Sequence, residues 1–151
     1  MRLLAVALLV ALVAPAPAAD KNEEKAKETA VAFLKAVKAK DVDAVMKVSA
    51  APFAHREGGD ISVIKDEAEL KKWVKGKLDD IKDADKVPTE FENFAPFADF
   101  KDKITGEDDR KKVEGVVGKD GFVGVISADG KTIVMLVRVT DGKAKVVGIG
   151  H

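Results

Sequence analysis

The chain has 151 residues, no cysteine, no tyrosine, and 26 basic against 26 acidic residues. This length suits one domain held by its own hydrophobic core, and the missing cysteines exclude disulfides, a thiol nucleophile, thiolate metal ligands and a lipid-bearing cysteine. The two charge signs are interspersed, with no basic patch to hold a phosphate backbone, so no nucleic-acid partner is expected.

The chain begins with a positive Met1-Arg2, an unbroken apolar run from Leu3 to Val13, and the small-residue stretch Ala14-Pro15-Ala16-Pro17-Ala18-Ala19. This is the layout of a secretory signal peptide. The apolar run falls short of the ~20 residues that a spanning helix needs. Residues 1–19 are therefore expected to be removed on export. Residues 20–151 are expected to form a soluble domain, periplasmic or secreted, with no membrane contact after cleavage.

A first helix is predicted from Asn22 to Ala39, with Ala26, Ala30, Phe33, Leu34 and Val37 on one face. Glutamates near its start and lysines near its end suit the helix dipole. Asp41 reads as the N-cap of a short second helix, with Val42, Val45 and Met46 inward and Pro52 as its stop. Phe53–Arg56 and Ile61–Ile64 flank Glu57-Gly58-Gly59-Asp60 as a small hairpin, in which both glycines are expected to supply positive φ. Asp66 and Glu69 open a third helix whose apolar face is Leu70, Trp73, Val74, Leu78 and Ile81. Gly76 lies within it, where a missing side chain would permit close packing.

Between residues 83 and 106, Phe91, Phe94, Phe97 and Phe100 recur every third position. Pro88 and Pro96 argue against a continuous helix, so a strand followed by a helical turn is expected. Glu107–Val117 then reads as a helix with Val113, Val116 and Val117 inward and Gly118 as its end. Phe122–Ile126, Thr132–Val139 and Lys143–Ile149 are β-branched-rich runs separated by Asp129-Gly130 and Asp141-Gly142, which predict a three-stranded antiparallel meander. In the middle strand, Thr132, Val134, Leu136 and Arg138 share one face, and Ile133, Met135, Val137 and Val139 the other. Both faces are apolar enough to be covered.

The order of elements carries a resemblance. The segment Thr29–Val45, with its joint at Lys40-Asp41, and the closing Val139-Thr140-Asp141-Gly142-Lys143-Ala144-Lys145-Val146-Val147-Gly148 resemble the two ends of NTF2-like domains, the cone shared with the SnoaL and ketosteroid isomerase group. The resemblance implies an α+β fold, with N-terminal helices on a curved antiparallel sheet, a C-terminal three-stranded meander and a cavity within the cone. An exported branch of that superfamily fits the leader. The helix at Glu107–Val117 and the very short first hairpin depart from the pattern. The superfamily holds isomerases, dehydratases, ligand-binding domains and transport factors, so the fold selects no function.

Three residues stand out as ligand-binding candidates. His55, with Glu57 and Asp60 near it, could work as a general base, or could be a polar residue at an exposed turn. Arg138 lies among apolar neighbours in a central strand. It must find an anionic ligand, an internal carboxylate or a route to water. Trp73, the sole tryptophan, packs in the core or lines a pocket. The phenylalanine series admits the same two readings.

No cofactor and no metal are expected. His55 and His151 are the only histidines, and Asp79, Asp80, Asp83 and Asp85 lack the glycine and glutamate of a calcium loop. Nucleophile-elbow, phosphate-loop and dinucleotide motifs are missing. The absence of tyrosine removes the phenolic donor of the resembled isomerases. The leading expectation is thus an exported non-enzymatic domain that binds a small apolar or anionic ligand, or a partner, in the cone. The alternatives are a small lyase or isomerase using a His–carboxylate pair, and a module that forms a homodimer through its sheet.

Overall fold

The structure, a computed structural model, describes residues 18–151. The expected signal peptide lies, up to residue 17, outside the described residues.

The first helix, α1 (Ala18–Lys38), takes in the expected span from Asn22 and ends one residue before Ala39. Alanine is the best helix former, and Asp20 sits in the first turn, where its charge suits the dipole. Ala26, Ala30, Phe33 and Leu34 are buried along one face. The chain reverses at Lys40, which takes a positive φ of 54°. Asp41 then caps α2 (Val42–Val48) by accepting a 2.9 Å bond from the Ala44 N–H.

Pro52 does not end α2. The helix stops at Val48, and Pro52 lies inside the first strand, β1 (Ser49–Arg56). There the register with the neighbouring strand is irregular between Ser49 and Ala54, so the missing proline N–H interrupts no regular ladder. Buried Ser49 donates from Oγ back to Val45 O at 2.7 Å. β1 turns into β2 (Ile61–Ile64) as expected, although only Gly58 of the glycine pair has positive φ.

Asp66 caps α3 (Glu67–Asp80) through the Glu69 N–H at 2.8 Å, and Leu70, Val74 and Leu78 are buried. Gly76 permits no close packing, because a Cβ placed there would meet nothing within 4 Å. After a 3₁₀ turn at Ala84–Lys86 come β3 (Asn93–Pro96) and two further 3₁₀ turns, Phe97–Asp99 and Lys101–Lys103. A strand followed by helical turns is thus the observed order. Then follow α4 (Glu107–Val117), β4 (Phe122–Ala128), β5 (Lys131–Thr140) and β6 (Lys143–Gly150). Both Asp-Gly hairpin turns have positive φ at both residues, which matches the twist of the strands they join.

The strands form one sheet in the order β2-β1-β6-β5-β4-β3. It is mixed rather than wholly antiparallel, because β1 meets the last strand, β6, in parallel. A parallel pair needs a long connection, and here almost the entire chain supplies it. Register breaks in β1–β6 and β5–β6 bend the sheet, which stays unclosed.

Each face of the sheet carries its own core. α1, α2 and α3 cover the inner face, where Phe53, Ile126, Met135, Val137 and Val146 are buried. α4 and the 3₁₀ turn at Phe97 cover the outer face over Ala54, Val123, Leu136 and Val147. The expected alternation along β5 holds, with Met135 and Val137 inward and Leu136 outward. The four phenylalanines divide between the cores. Phe91 and Phe94 pack on the inner one, while Phe97 and Phe100 belong to the outer one.

Candidate ligand-binding site

Two simple spacings build the site. Trp73 and Lys77 are four residues apart on α3 and so share one helix face. His55 lies near the end of β1 and Glu57 just beyond it, two residues on, so both side chains leave the chain on the same side. The inner face of β1 meets α3, and the four side chains converge there.

The Trp73 ring lies 5.4 Å from Phe53 and 5.1 Å from His55, centroid to centroid. Its Nε1–H donates to Glu57 Oε1 at 3.3 Å. The same oxygen is 2.9 Å from Lys77 Nζ. His55 Nδ1 sits 3.6 Å from it, beyond a good hydrogen bond, and is buried without a partner. The Lys77 hydrogen bond holds the Glu57 carboxyl below its ordinary value, with the Trp73 N–H and His55 adding smaller pulls the same way. Asp60 makes no ion pair with His55.

Beside this cluster, under the three helices, lies a cavity of about 440 Å³. Phe33, Val37 and Val45 wall it from α1 and α2, and Trp73, Val74 and Leu78 from α3. Ile133 and Ile149 close it from the sheet. The charged residues at its border, Glu57, Lys77, Asp129 and Lys131 among them, carry both signs. An apolar interior with a few polar groups at one end is the usual make-up of a small-molecule site. Among the described residues, no three His, Asp or Glu side chains are placed to share a metal ion.

Of the sequence candidates, Trp73 lines this cavity and His55 stacks on Trp73. Arg138 is elsewhere and borders neither this cavity nor a second pocket on the outer face. It is half-buried and donates to Val116 O at 3.2 Å and Ala51 O at 3.4 Å. It finds no carboxylate among the described residues. Its partner is the C-terminal end of α4, whose free carbonyls and negative dipole end suit a guanidinium. Sequence reading missed Lys77 and Ile133. The Trp73/Lys77 spacing was visible, but Ile133 looked like any other inward residue of a strand.

Three helices on one face of a curved, unclosed, mixed sheet, with the last three strands as a meander, give the cone expected from the two chain ends. The fold is NTF2-like. Two solved structures similar to this chain carry that description. An NTF-2-like protein of unknown function from Shewanella oneidensis MR-1 is 10% identical, with a TM-score of 0.45 over 82% of this chain and 92% of that one. Another, from Burkholderia xenovorans LB400, is 20% identical, with a TM-score of 0.38 over 85% of this chain and 82% of that one. No protein-family model matches the chain, and no curated protein matches it. α4 packs on the outer face of the sheet, away from the three N-terminal helices.

Proposed function

We propose that this chain is an exported, non-enzymatic domain that binds a small, mostly apolar molecule in the inner cavity. The observation that carries the reading is the cavity itself, walled by apolar side chains from three helices and two strands beside the sole tryptophan. The ligand is neutral in this reading, because the border carries both signs, Glu57 and Asp129 against Arg56, Lys77 and Lys131, and Glu57 and Lys77 beside Trp73 already satisfy each other. Support for a binding role over a catalytic one comes from Glu57. A carboxylate held below its ordinary value by an ammonium group is a weak base. Export rests on the leader-like residues 1–19 alone.

The test is a titration with small neutral ketones, cyclohexanone, acetophenone and octan-2-one, followed by Trp73 emission and melting temperature. Binding quenches or shifts the emission and raises the melting point, since a ligand that binds only the folded state stabilises it by mass action. A full set of ketones that moves neither quantity contradicts the proposal.

One observation favours a second reading, a small lyase or isomerase. His55 Nδ1 is buried, unpartnered and 3.6 Å from Glu57, so a modest closure would complete a His–carboxylate pair. His55→Gln separates the two readings. Ketone affinity that survives the substitution, with no chemical change in the bound ketone before it, supports binding. Turnover that the substitution abolishes supports the enzyme.

A further inference from the structure

The outer face of the sheet holds a pocket of its own, of about 330 Å³, which α4 and the segment before it create. It lies where Val134 pairs with Gly150, whereas Arg138 pairs with Lys145 further along the same strands. Its floor is Ala54, Val113, Val123 and Leu136, all buried. The roof is tied down by polar contacts. Lys112 Nζ donates to Ile61 O at 3.0 Å, joining α4 to β2, and Arg110 Nη2 donates to Ile104 O at 3.3 Å, joining α4 to the preceding turn.

The charge on this pocket differs from that of the inner cavity. No aspartate or glutamate borders it, and the ionisable residues that do are Arg56, Lys103, His151 and His55, the last with its ring turned to Trp73 on the inner face. Arg56 and Lys103 are both exposed, and neither makes an ion pair among the described residues. Arg56 spends only Nε, on Gly59 O at 2.7 Å, which leaves the ends of its guanidinium free of that bond. Lys103 Nζ rests 4.7 Å above the Phe100 ring.

We propose that this outer pocket binds a small amphipathic carboxylate, its apolar tail on the Val113–Val123–Leu136 floor and its head between Arg56 and Lys103. An apolar floor pays for desolvating a hydrocarbon tail and rejects a polar one. Two cations without anions at the rim favour a carboxylate over a neutral head, and Arg56 presents a planar fork suited to it. The volume lies at the low end of the ~300–1,000 Å³ typical of ligand pockets, which fits one tail of moderate length. The floor of this site lies on the opposite face of the sheet from the inner cavity, and the two share only Arg56, Ile149, Gly150 and His151 at their borders, so amides of the two floors tell them apart.

The experiment titrates decanoate and decanol into the ¹⁵N-labelled protein and follows backbone amides. Decanoate is expected to shift Val113, Val123 and Val134, to leave Trp73 emission unchanged, and to bind about fivefold or more tightly than decanol, the equivalent of one exposed ion pair. Lys103→Glu is expected to weaken decanoate about fivefold and leave decanol unchanged, while Lys103→Arg preserves both. Because Lys103 is exposed, these variants keep the fold, and Val134→Trp adds a second test by filling the pocket. Equal affinity for the two compounds overturns the proposal. So do shifts confined to Val37, Val74 and Ile133 of the inner cavity. A mass that doubles with concentration while decanoate fails to bind also overturns it, and would assign the outer face to a second copy of the chain.

Discussion

Glu57 Oε1 is the atom on which the inner site turns, since Lys77, Trp73 and His55 all face it. Its folded-state carboxyl is held below the ordinary value of 4.5, so the stabilising contacts are complete above that pH and are lost as pH falls through the lower folded value. Trp73 emission is therefore predicted to change only below pH 4.5, and Glu57→Gln to remove that acid transition. A transition that persists in Glu57→Gln would place its source elsewhere. Arg138 makes the opposite kind of contact, structural and remote from either pocket. Arg138→Met is predicted to cost about 1–2 kcal/mol in chemical denaturation, through the freed Val116 and Ala51 carbonyls, and to leave ketone and decanoate affinity unchanged. At Gly124 a Cβ would lie 2.4 Å from the Phe91 ring. Gly124→Ala is predicted to cost about 1–3 kcal/mol by overpacking, read from the same denaturation curves. His55, Trp73 and Arg138 were each legible in the sequence as unusual residues. Their partners were not, because a tryptophan meets a histidine 18 positions away only after α3 docks on β1, and an arginine meets a carbonyl of α4 only after that helix covers the sheet.

The elements were legible wherever the chain supplies its own punctuation. Asp41 and Asp66 mark two helix starts, and the carboxylate of each accepts a backbone N–H of the helix it caps. Gly118, with a φ of +75°, ends α4, and two Asp-Gly pairs set the final meander. Punctuation misled at Pro52, because a proline fits an irregular strand as well as a helix stop. Along the phenylalanine series Pro88 and Pro96 pointed to a strand and a helical turn, and these send Phe94 inward and Phe97 outward. The same reading of local signals predicts export. N-terminal sequencing of the protein recovered from outside the cytoplasm is expected to start at Ala19 or Asp20. An intact Met1 there, or no export, contradicts the signal peptide.

At the scale of the molecule, period-two alternation in β5 already implied that both faces of the sheet are covered. It could not say by what. The parallel junction of β1 with β6 joins residues almost a hundred positions apart, and no local pattern encodes it. That junction nonetheless creates both pockets, since Arg56, Ile149, Gly150 and His151 border each of them. The result is an NTF2-like cone with an apolar cavity of mixed charge inside and an apolar pocket with a basic rim outside. The inner cavity is the proposed small-molecule site. Its most direct test is calorimetric titration of acetophenone into the native protein and into Val37→Phe, which adds a ring to the cavity wall. Saturable binding to the native protein is expected, with a loss of about tenfold or more in the variant, because a filled pocket must overpack to admit a ligand. No binding to either protein, or equal binding to both, would contradict it.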